Sequence, residues 1–200
     1  INYSNLGSPY NFEGVALHEL GHALGLDHSD GVMATLNSYY PNSGTLGHWK
    51  EWDPLPDDRQ GARALYPDSS TERDIAGSAF KRTGSGTSGR VSSPAYAARG
   101  STANIEFSFG NQGTATESFN IGFYLSGNDY ISTGDTLLGT NYGAWGTPGF
   151  VGTFSRGVYI PAWITPGTYW IGFYVDNNGA LAESVESNNY MEMPRSIVIY

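Results

Sequence analysis

The sequence predicts an α+β chain in which a short helical segment precedes an all-β sandwich. Apolar residues recur at helical spacing only near the N-terminus, the composition changes after Pro67, and short apolar or aromatic runs separated by turn residues follow. With 200 residues, 39% of them hydrophobic, the chain is long enough for two small domains with buried cores. The predicted limits are 1–67 for the helical domain, 68–74 for a linker and 75–200 for the sandwich.

The first predicted helix runs from Phe12 to Leu24. Its apolar residues are three or four apart, Asn11 is placed to cap the first turn, and Gly25 follows where helices commonly end in a left-handed residue. A second helix is predicted within PDDRQGARALYP, which begins with acidic residues and stops at Pro67. Between them, residues 30–56 are rich in Gly, Pro, Ser and aromatics without a period, which predicts loops and turns.

Six strands are predicted after the linker. They are Ile75 to Arg82, Thr102 to Phe109, Glu117 to Leu125, Gly149 to Ile160, Thr168 to Val175 and Ser196 to Tyr200. Such short strands over roughly 125 residues are typical of a two-sheet antiparallel sandwich. The tetrapeptide IGFY occurs at 121–124 and again at 171–174. Because the flanks do not match, it predicts two core strands with the same alternation rather than an internal duplication.

Charge and composition exclude several classes of function. The formal net charge of -9 argues against a nucleic-acid backbone or an anionic membrane as partner. No stretch approaches the roughly 20 apolar residues of a membrane span, so membrane insertion is not expected. The chain has no cysteine, which excludes disulfides, thiolate nucleophiles and cysteine metal ligands. Any metal must therefore be bound by His, Asp or Glu.

The stretch HELGHALGLDH at 18–28 holds three of the four histidines. His18 and His22 are four residues apart and share one helix face, and a reversal at Gly25 would return His28 as a third nitrogen. Three protein ligands leave the fourth position of a tetrahedral zinc open for water, as in catalytic sites. Such an ion lowers the pKa of its water to about 7 and polarises a carbonyl, and Glu19 is the predicted general base and acid.

The spacing HExxHxxGxxH resembles the metzincin signature of zinc endopeptidases. Ser29, directly after the third histidine, and the stretch DDRQGARALYP are similar to the matrixin branch. The astacin and serralysin branches have a tyrosine where this chain has Thr35. The resemblance implies a zinc metalloendopeptidase that hydrolyses peptide bonds in extracellular proteins.

The resemblance also implies roles for residues beyond the histidines. Met33 would form a turn beneath the metal, as a hydrophobic floor and not as a ligand. Tyr39 and Tyr40 would line the substrate pocket, although tyrosines in a surface loop are equally expected. Asp57 and Asp58 are most simply helix-start residues favoured by the dipole, and one of them would brace the methionine turn.

Matrixin catalytic domains place a mixed sheet before the zinc helix, and eleven residues precede Phe12 here. We therefore expect the helical C-terminal part of such a domain, with its sheet missing. A zinc helix without the sheet it packs on, and a substrate without an edge strand to pair with, predict weak or no activity for this chain alone. The full-length parent is expected to be active.

The second half resembles the bacterial cell-adhesion-related domain (CARDB), an immunoglobulin-like sandwich. The matching features are Asn111-Gln112-Gly113 after an alternating strand, Pro166-Gly167-Thr168-Tyr169 at the start of another, and Glu183 to Asn189 before the last. This resemblance implies a secreted or bacterial cell-surface protein. It also implies an accessory role in contacting a protein or glycan ligand at the cell surface or in the matrix.

Four residues of the second half could contribute oxygens to a calcium ion: Asp176, Glu183, Glu186 and Asn188. They do not follow a fixed calcium-loop spacing, so turn residues in a solvated acidic loop are the favoured interpretation.

Two functions of different classes thus remain. One is a secreted zinc metalloendopeptidase; the other is an adhesion or binding protein whose sandwich is the functional part. The intact motif including Glu19 favours the enzyme, because a degenerate site has no chemical reason to keep its base.

Overall fold

The computed structural model describes residues 12–29, 34–36, 54, 56–67, 71–82, 95–192 and 196–200. The described residues form two helices, α1 at Phe12–Ala23 and α2 at Pro56–Leu65. α1 ends one residue before its predicted end, and α2 lies within the predicted stretch. The α+β class is therefore confirmed. Neither of these two helices has the length and apolar character needed to cross a membrane.

Nine strands follow the helices in the described part of the chain. They are β1 Ile75–Arg82, β2 Ala95–Ala97, β3 Thr102–Asn111, β4 Glu117–Ser126, β5 Thr136–Gly146, β6 Val151–Tyr159, β7 Gly167–Val175, β8 Tyr190–Glu192 and β9 Ile197–Ile199. A short 3-10 turn, Glu186–Asn188, precedes β8.

The strands form two sheets. The smaller has the order β1-β3-β6 and the larger β2-β9-β7-β4-β5, with β8 also paired to β7. All pairs are antiparallel except β2 with β9. The expected antiparallel sandwich is therefore wrong in one pair. The two IGFY segments lie side by side in β4 and β7, with Phe123 opposite Phe173, so both are core strands as predicted.

Aromatic rings from the two sheets meet in the core. The ring of Phe107 on β3 lies 4.9 Å from that of Phe123 on β4 and 5.4 Å from that of Phe173 on β7, measured between centroids. Phe109 meets Phe119 edge-on at 5.3 Å. All five are buried. Burial of such rings between facing sheets is the main stabilising term for this half of the chain.

All six predicted strands are present, and three further strands were missed. β2 and β8 have three residues each, too few to show alternation. β5 has eleven, but glycines interrupt its pattern, and Gly143 has a φ of +66°. Its pairing with β4 contains two register shifts. β5 forms a strand because its backbone hydrogen-bonds along β4. Such pairing with a distant strand does not show in the local alternation of residues.

Candidate metal centre

Helix α1 and its C-terminal turn bring the three motif histidines together. His18 and His22 lie one turn apart on α1. The helix ends in a Schellman motif: the Gly25 amide donates to the His22 carbonyl (2.9 Å) and the Leu26 amide to the Gly21 carbonyl (3.0 Å). Gly25 has a φ of +92°, as expected for a glycine at this position. The chain reverses there, which brings His28 back to the helix.

The three imidazoles converge through their Nε2 atoms. The distances are 3.1 Å between His18 and His22, 3.2 Å between His22 and His28, and 3.3 Å between His28 and His18. Tetrahedral zinc with nitrogen bonds of about 2.0–2.1 Å separates its ligand nitrogens by about 3.3–3.4 Å. The donor set and its spacing therefore fit a zinc ion bound by three histidines.

Hydrogen bonds at the Nδ1 atoms of two rings indicate which ring nitrogen carries the hydrogen. His18 Nδ1 lies 2.8 Å from the Thr35 carbonyl oxygen, and His22 Nδ1 lies 2.8 Å from the Leu26 carbonyl oxygen. A carbonyl only accepts, so each Nδ1 carries the hydrogen, and a neutral imidazole then has a bare lone pair at Nε2. Lone pairs that face each other at 3.1 Å repel unless a cation lies between them. This arrangement suits a cation shared by the rings.

A second layer of contacts holds the Thr35 carbonyl under His18. The buried Asp58 carboxylate of α2 accepts the Thr35 amide (2.7 Å) and the Leu36 amide (3.0 Å). Leu36 packs on Gly21 of α1, where an added Cβ would lie 2.8 Å from a Leu36 methyl group. Of the two acidic residues that begin α2, Asp58 is therefore the one that braces the segment after position 33.

Glu19 follows His18 on α1 and is exposed to solvent. Met33, Tyr39 and Tyr40 fall outside the described residues, so their predicted roles stay predictions.

Three of the four residues considered for calcium, Asp176, Glu183 and Glu186, accept hydrogen bonds from protein groups instead. Asp176 accepts the Ala180 and Leu181 amides (3.1 and 2.9 Å), and Glu186 accepts the Glu183 amide (3.1 Å). Asn188 uses its amide group to donate to Asp74. Within the described part of the chain, the three histidines are the one group of His, Asp or Glu side chains close enough together to share an ion.

Glu183 and its neighbours fasten the start of the sandwich. The Glu183 carboxylate accepts the Ile75 amide and the Asn189 side-chain amide. Burial raises the pKa of Glu183 to about 7, against the opposing effect of these two hydrogen bonds. Burial likewise raises the pKa of Asp74, which the hydrogen bond from Asn188 opposes.

Sequence reasoning missed the contact between α2 and the sandwich. Gln60 Nε2 donates to the Asn111 carbonyl (2.7 Å), Arg63 donates to the Gln112 carbonyl, and Arg63 also pairs with Glu72. These polar residues would ordinarily be assigned to a solvated helix face. Their partners lie far away in the sequence, so no local pattern could have found them.

Comparisons with known proteins agree with the family of the histidine motif. Residues 3–67 match the family model of the matrixins, which confirms that resemblance for the N-terminal third of the chain. No curated protein matches the chain. A matrixin match implies a metallopeptidase type of enzyme with zinc and protein substrates in general.

Several solved structures also match. The CARDB domain of a Pyrococcus furiosus protein, solved in complex with di-metal ions, has a TM-score of 0.43 and 17% identity, covering 66% of this chain and 95% of that one. A domain of a Methanosarcina acetivorans protein has a TM-score of 0.42 and 15% identity, covering 65% and 94%. A Listeria innocua β-glucosidase in complex with glucose has a TM-score of 0.37 and 12% identity, covering 66% of this chain and 16% of that one.

Proposed function

We propose that the chain is part of a zinc-dependent metalloendopeptidase, secreted or displayed at a bacterial cell surface, that cleaves extracellular proteins. One observation carries this proposal: the three Nε2 atoms lie within 3.1–3.3 Å of one another. The Nδ1 hydrogens of His18 and His22 are donated to backbone carbonyl oxygens on the opposite side of each ring. His18, His22 and His28 are the proposed ligands. The two helices are proposed to belong to a metzincin catalytic domain, and the strands to an immunoglobulin-like one.

Glu19 is the proposed general base and acid. Zinc bound by the histidines would supply an activated water and polarise the scissile carbonyl. The exposed Glu19 carboxylate takes a proton from the attacking water and later delivers it to the leaving amine. The Thr35 and Leu26 carbonyls keep the His18 and His22 rings in one tautomer and orientation throughout.

We expect this chain by itself to cleave weakly or not at all. Leu20 of α1 and Leu24 directly after the helix are 59% and 51% exposed, so this apolar face is uncovered by the described residues. A catalytic helix with an open apolar face is incompletely packed. Robust cleavage of an unstructured protein by the purified 200-residue chain, abolished by Glu19→Gln, would overturn this expectation while leaving the proposed chemistry intact.

The zinc content of the purified chain tests the proposal most directly. Elemental analysis after dialysis at neutral pH should find about one zinc per chain in the wild type and in Glu19→Gln, since Glu19 is not a ligand. His22→Ala should hold none. In a longer form that cleaves peptides, Glu19→Gln should lower kcat by about 10²–10⁴-fold. Absence of zinc from a folded wild-type chain would contradict the proposal.

A cleft in the sandwich favours a second function, the binding of a glycan at the cell surface or in the matrix. A cavity of about 490 Å³ is lined by residues of β3, β5 and β6. Phe154 on β6 pairs with the core residue Phe107 and lines the cavity, and its side chain is 41% exposed. Tyr142 and Trp145 on β5 also line the cavity.

Polar groups in this cleft are held in place. Arg156 donates to the Asn141 side-chain oxygen (3.1 Å) and to the Thr140 carbonyl (3.0 Å), and its guanidinium lies 5.0 Å from the centre of the Phe123 ring. Aromatic faces next to fixed hydrogen-bonding groups suit a sugar ring, which has apolar faces and hydroxyl edges.

Tryptophan fluorescence during titration with neutral and acidic oligosaccharides tests the cleft. Trp145→Ala should lose the binding response, whereas Trp163→Ala, which removes a 72% exposed tryptophan outside the cleft, should retain it. Equal responses from the two variants, or none from the wild type, would count against glycan binding here.

A further inference from the structure

We propose that the β-sandwich positions the zinc ligands, through helix α2, and that Gln60 and Arg63 are the positioning residues that transmit this support. The inference rests on the proposed zinc site and extends it to residues that touch neither metal nor substrate. It begins at the carbonyl oxygens behind two of the histidines, Thr35 for His18 and Leu26 for His22.

Both carbonyls belong to segments that are held by α2. The Thr35 segment is held by two backbone amides that donate to the Asp58 carboxylate. The Leu26 segment packs on Gly61, where an added Cβ would lie 2.8 Å from a Leu26 methyl group. A third link joins the Tyr66 hydroxyl, just after α2, to the Leu24 carbonyl at 3.0 Å. The position of α2 therefore sets the position of both ring acceptors.

The opposite side of α2 is attached to the sandwich. Gln60 and Arg63, one turn apart, donate to the consecutive carbonyls of Asn111 and Gln112 at the end of β3. Arg63 also forms an ion pair with Glu72. These carbonyls are fixed in turn, because the Asn111 and Gln112 residues are buried and the Gln112 amide donates to the Asp74 carbonyl at 2.7 Å.

The chain of contacts runs without a break from the sandwich core to two ligand rings. β3 supplies Phe107 and Phe109 to the core and ends at Asn111. Polar contacts are directional. They therefore restrict the rotation of α2 about its axis, and its position on the sandwich, more narrowly than apolar packing alone would. Partners of metal-ligating histidines commonly affect metal affinity by 10–100-fold when removed. We expect the same kind of loss when the support of those partners is removed.

Gln60→Glu is the sharpest variant. It keeps the size of the side chain and the helix propensity, but it replaces the donor toward the Asn111 carbonyl with an acceptor. Arg63→Ala removes the second contact. Arg59→Ala is the matched control on the same helix, because its contact with Gln112 is long at 3.4 Å.

The measurements are Zn²⁺ affinity by competition with a chromogenic chelator and the visible absorption of the Co²⁺-loaded full chain. The combined Gln60→Glu and Arg63→Ala variant should bind Zn²⁺ about tenfold or more weakly. It should also show altered Co²⁺ bands, which report ligand geometry. In metal-free protein its Thr35 and Leu36 amides should exchange hydrogen faster, while tryptophan-detected unfolding of the sandwich stays unchanged. Arg59→Ala should resemble the wild type.

Failure of the inference and failure of the zinc site are distinguishable. If the wild type binds metal and the combined variant matches it in affinity, Co²⁺ spectrum and amide exchange, the positioning role is overturned and the zinc site stands. If the folded wild type binds neither Zn²⁺ nor Co²⁺, the proposed function and the inference both fall.

Discussion

The helical segment and the sandwich are stabilised in different ways. The sandwich buries aromatic and aliphatic side chains from both sheets, among them Phe123 and Phe173 at 0% exposure. In the helical segment, the described apolar residues that are buried are few, chiefly Ala34 and Leu36, while Leu20 and Leu24 are exposed. Directional contacts to Asp58 and to the sandwich hold it instead. A sandwich of this kind can fold by burial, whereas we expect the helical segment to depend on the proposed metal and on its contacts with the sandwich.

Removal of metal should have the largest effect, and it should be confined to the helical segment. Binding of a structural zinc ion stabilises small zinc domains by on the order of 10 kcal/mol. Without the ion, the facing Nε2 lone pairs of the histidines would repel one another. A strong chelator should reduce the helical signal in far-UV circular dichroism while tryptophan fluorescence of the sandwich persists. His22→Ala without chelator should give the same spectrum. Unchanged helix content after chelation would show that the two regions do not differ in this way.

Truncation of a core ring should break the sandwich, whereas truncation of an α1 leucine should not. Phe123→Ala removes a fully buried ring and should cost about 3–5 kcal/mol in the free energy of unfolding. Leu20→Ala, on the exposed face of α1, should change it by less than about 0.5 kcal/mol. Urea unfolding followed by fluorescence measures both. A large loss from Leu20→Ala would mean that the helical segment buries a core after all.

A methyl group at Gly25 should strain the turn that returns His28. The φ of +92° is unfavourable for alanine by about 1–2 kcal/mol, and relaxation of the turn would move His28 away from its partners. We expect weaker Zn²⁺ binding in Gly25→Ala. Gly134→Ala in the sandwich has no such φ and meets only Ser132 at 3.6 Å, so it should leave Zn²⁺ affinity unchanged. Equal affinities for Gly25→Ala and the wild type would contradict this account of the turn.

The last contrast is a pH dependence that belongs to the sandwich, where Glu183 accepts the amide of Ile75 at the start of β1. The pKa of Glu183 is about 7 in the folded chain against 4.5 ordinarily, so the folded state binds more protons between these values. Its contribution to stability is therefore complete below about pH 4.5 and is lost as the pH rises through 7. Wild-type stability should fall more steeply over this window than that of Glu183→Gln. Parallel urea-denaturation profiles from pH 5 to 8 would argue against a role for Glu183.

Much of the fold could be predicted where periodicity is strong. β1 has its predicted limits, and the core strands β4 and β7 were found because apolar residues alternate in them. β5 was missed because its glycines and exposed aromatics show no alternation. The histidine cluster was predictable since helix geometry alone places residues four apart together, and a left-handed glycine reverses the chain.

The sequence by itself determined the proposed ligand set, because His18, His22 and His28 lie within eleven residues and their convergence depends on one helix and one turn. Only the tertiary structure decided what supports that set. Asp58, Gln60 and Arg63 act through partners between 9 and 51 residues away, with ordinary polar side chains that carry no local signal. Contacts between residues distant in the chain depend on how whole elements pack, and packing is a property of the folded molecule.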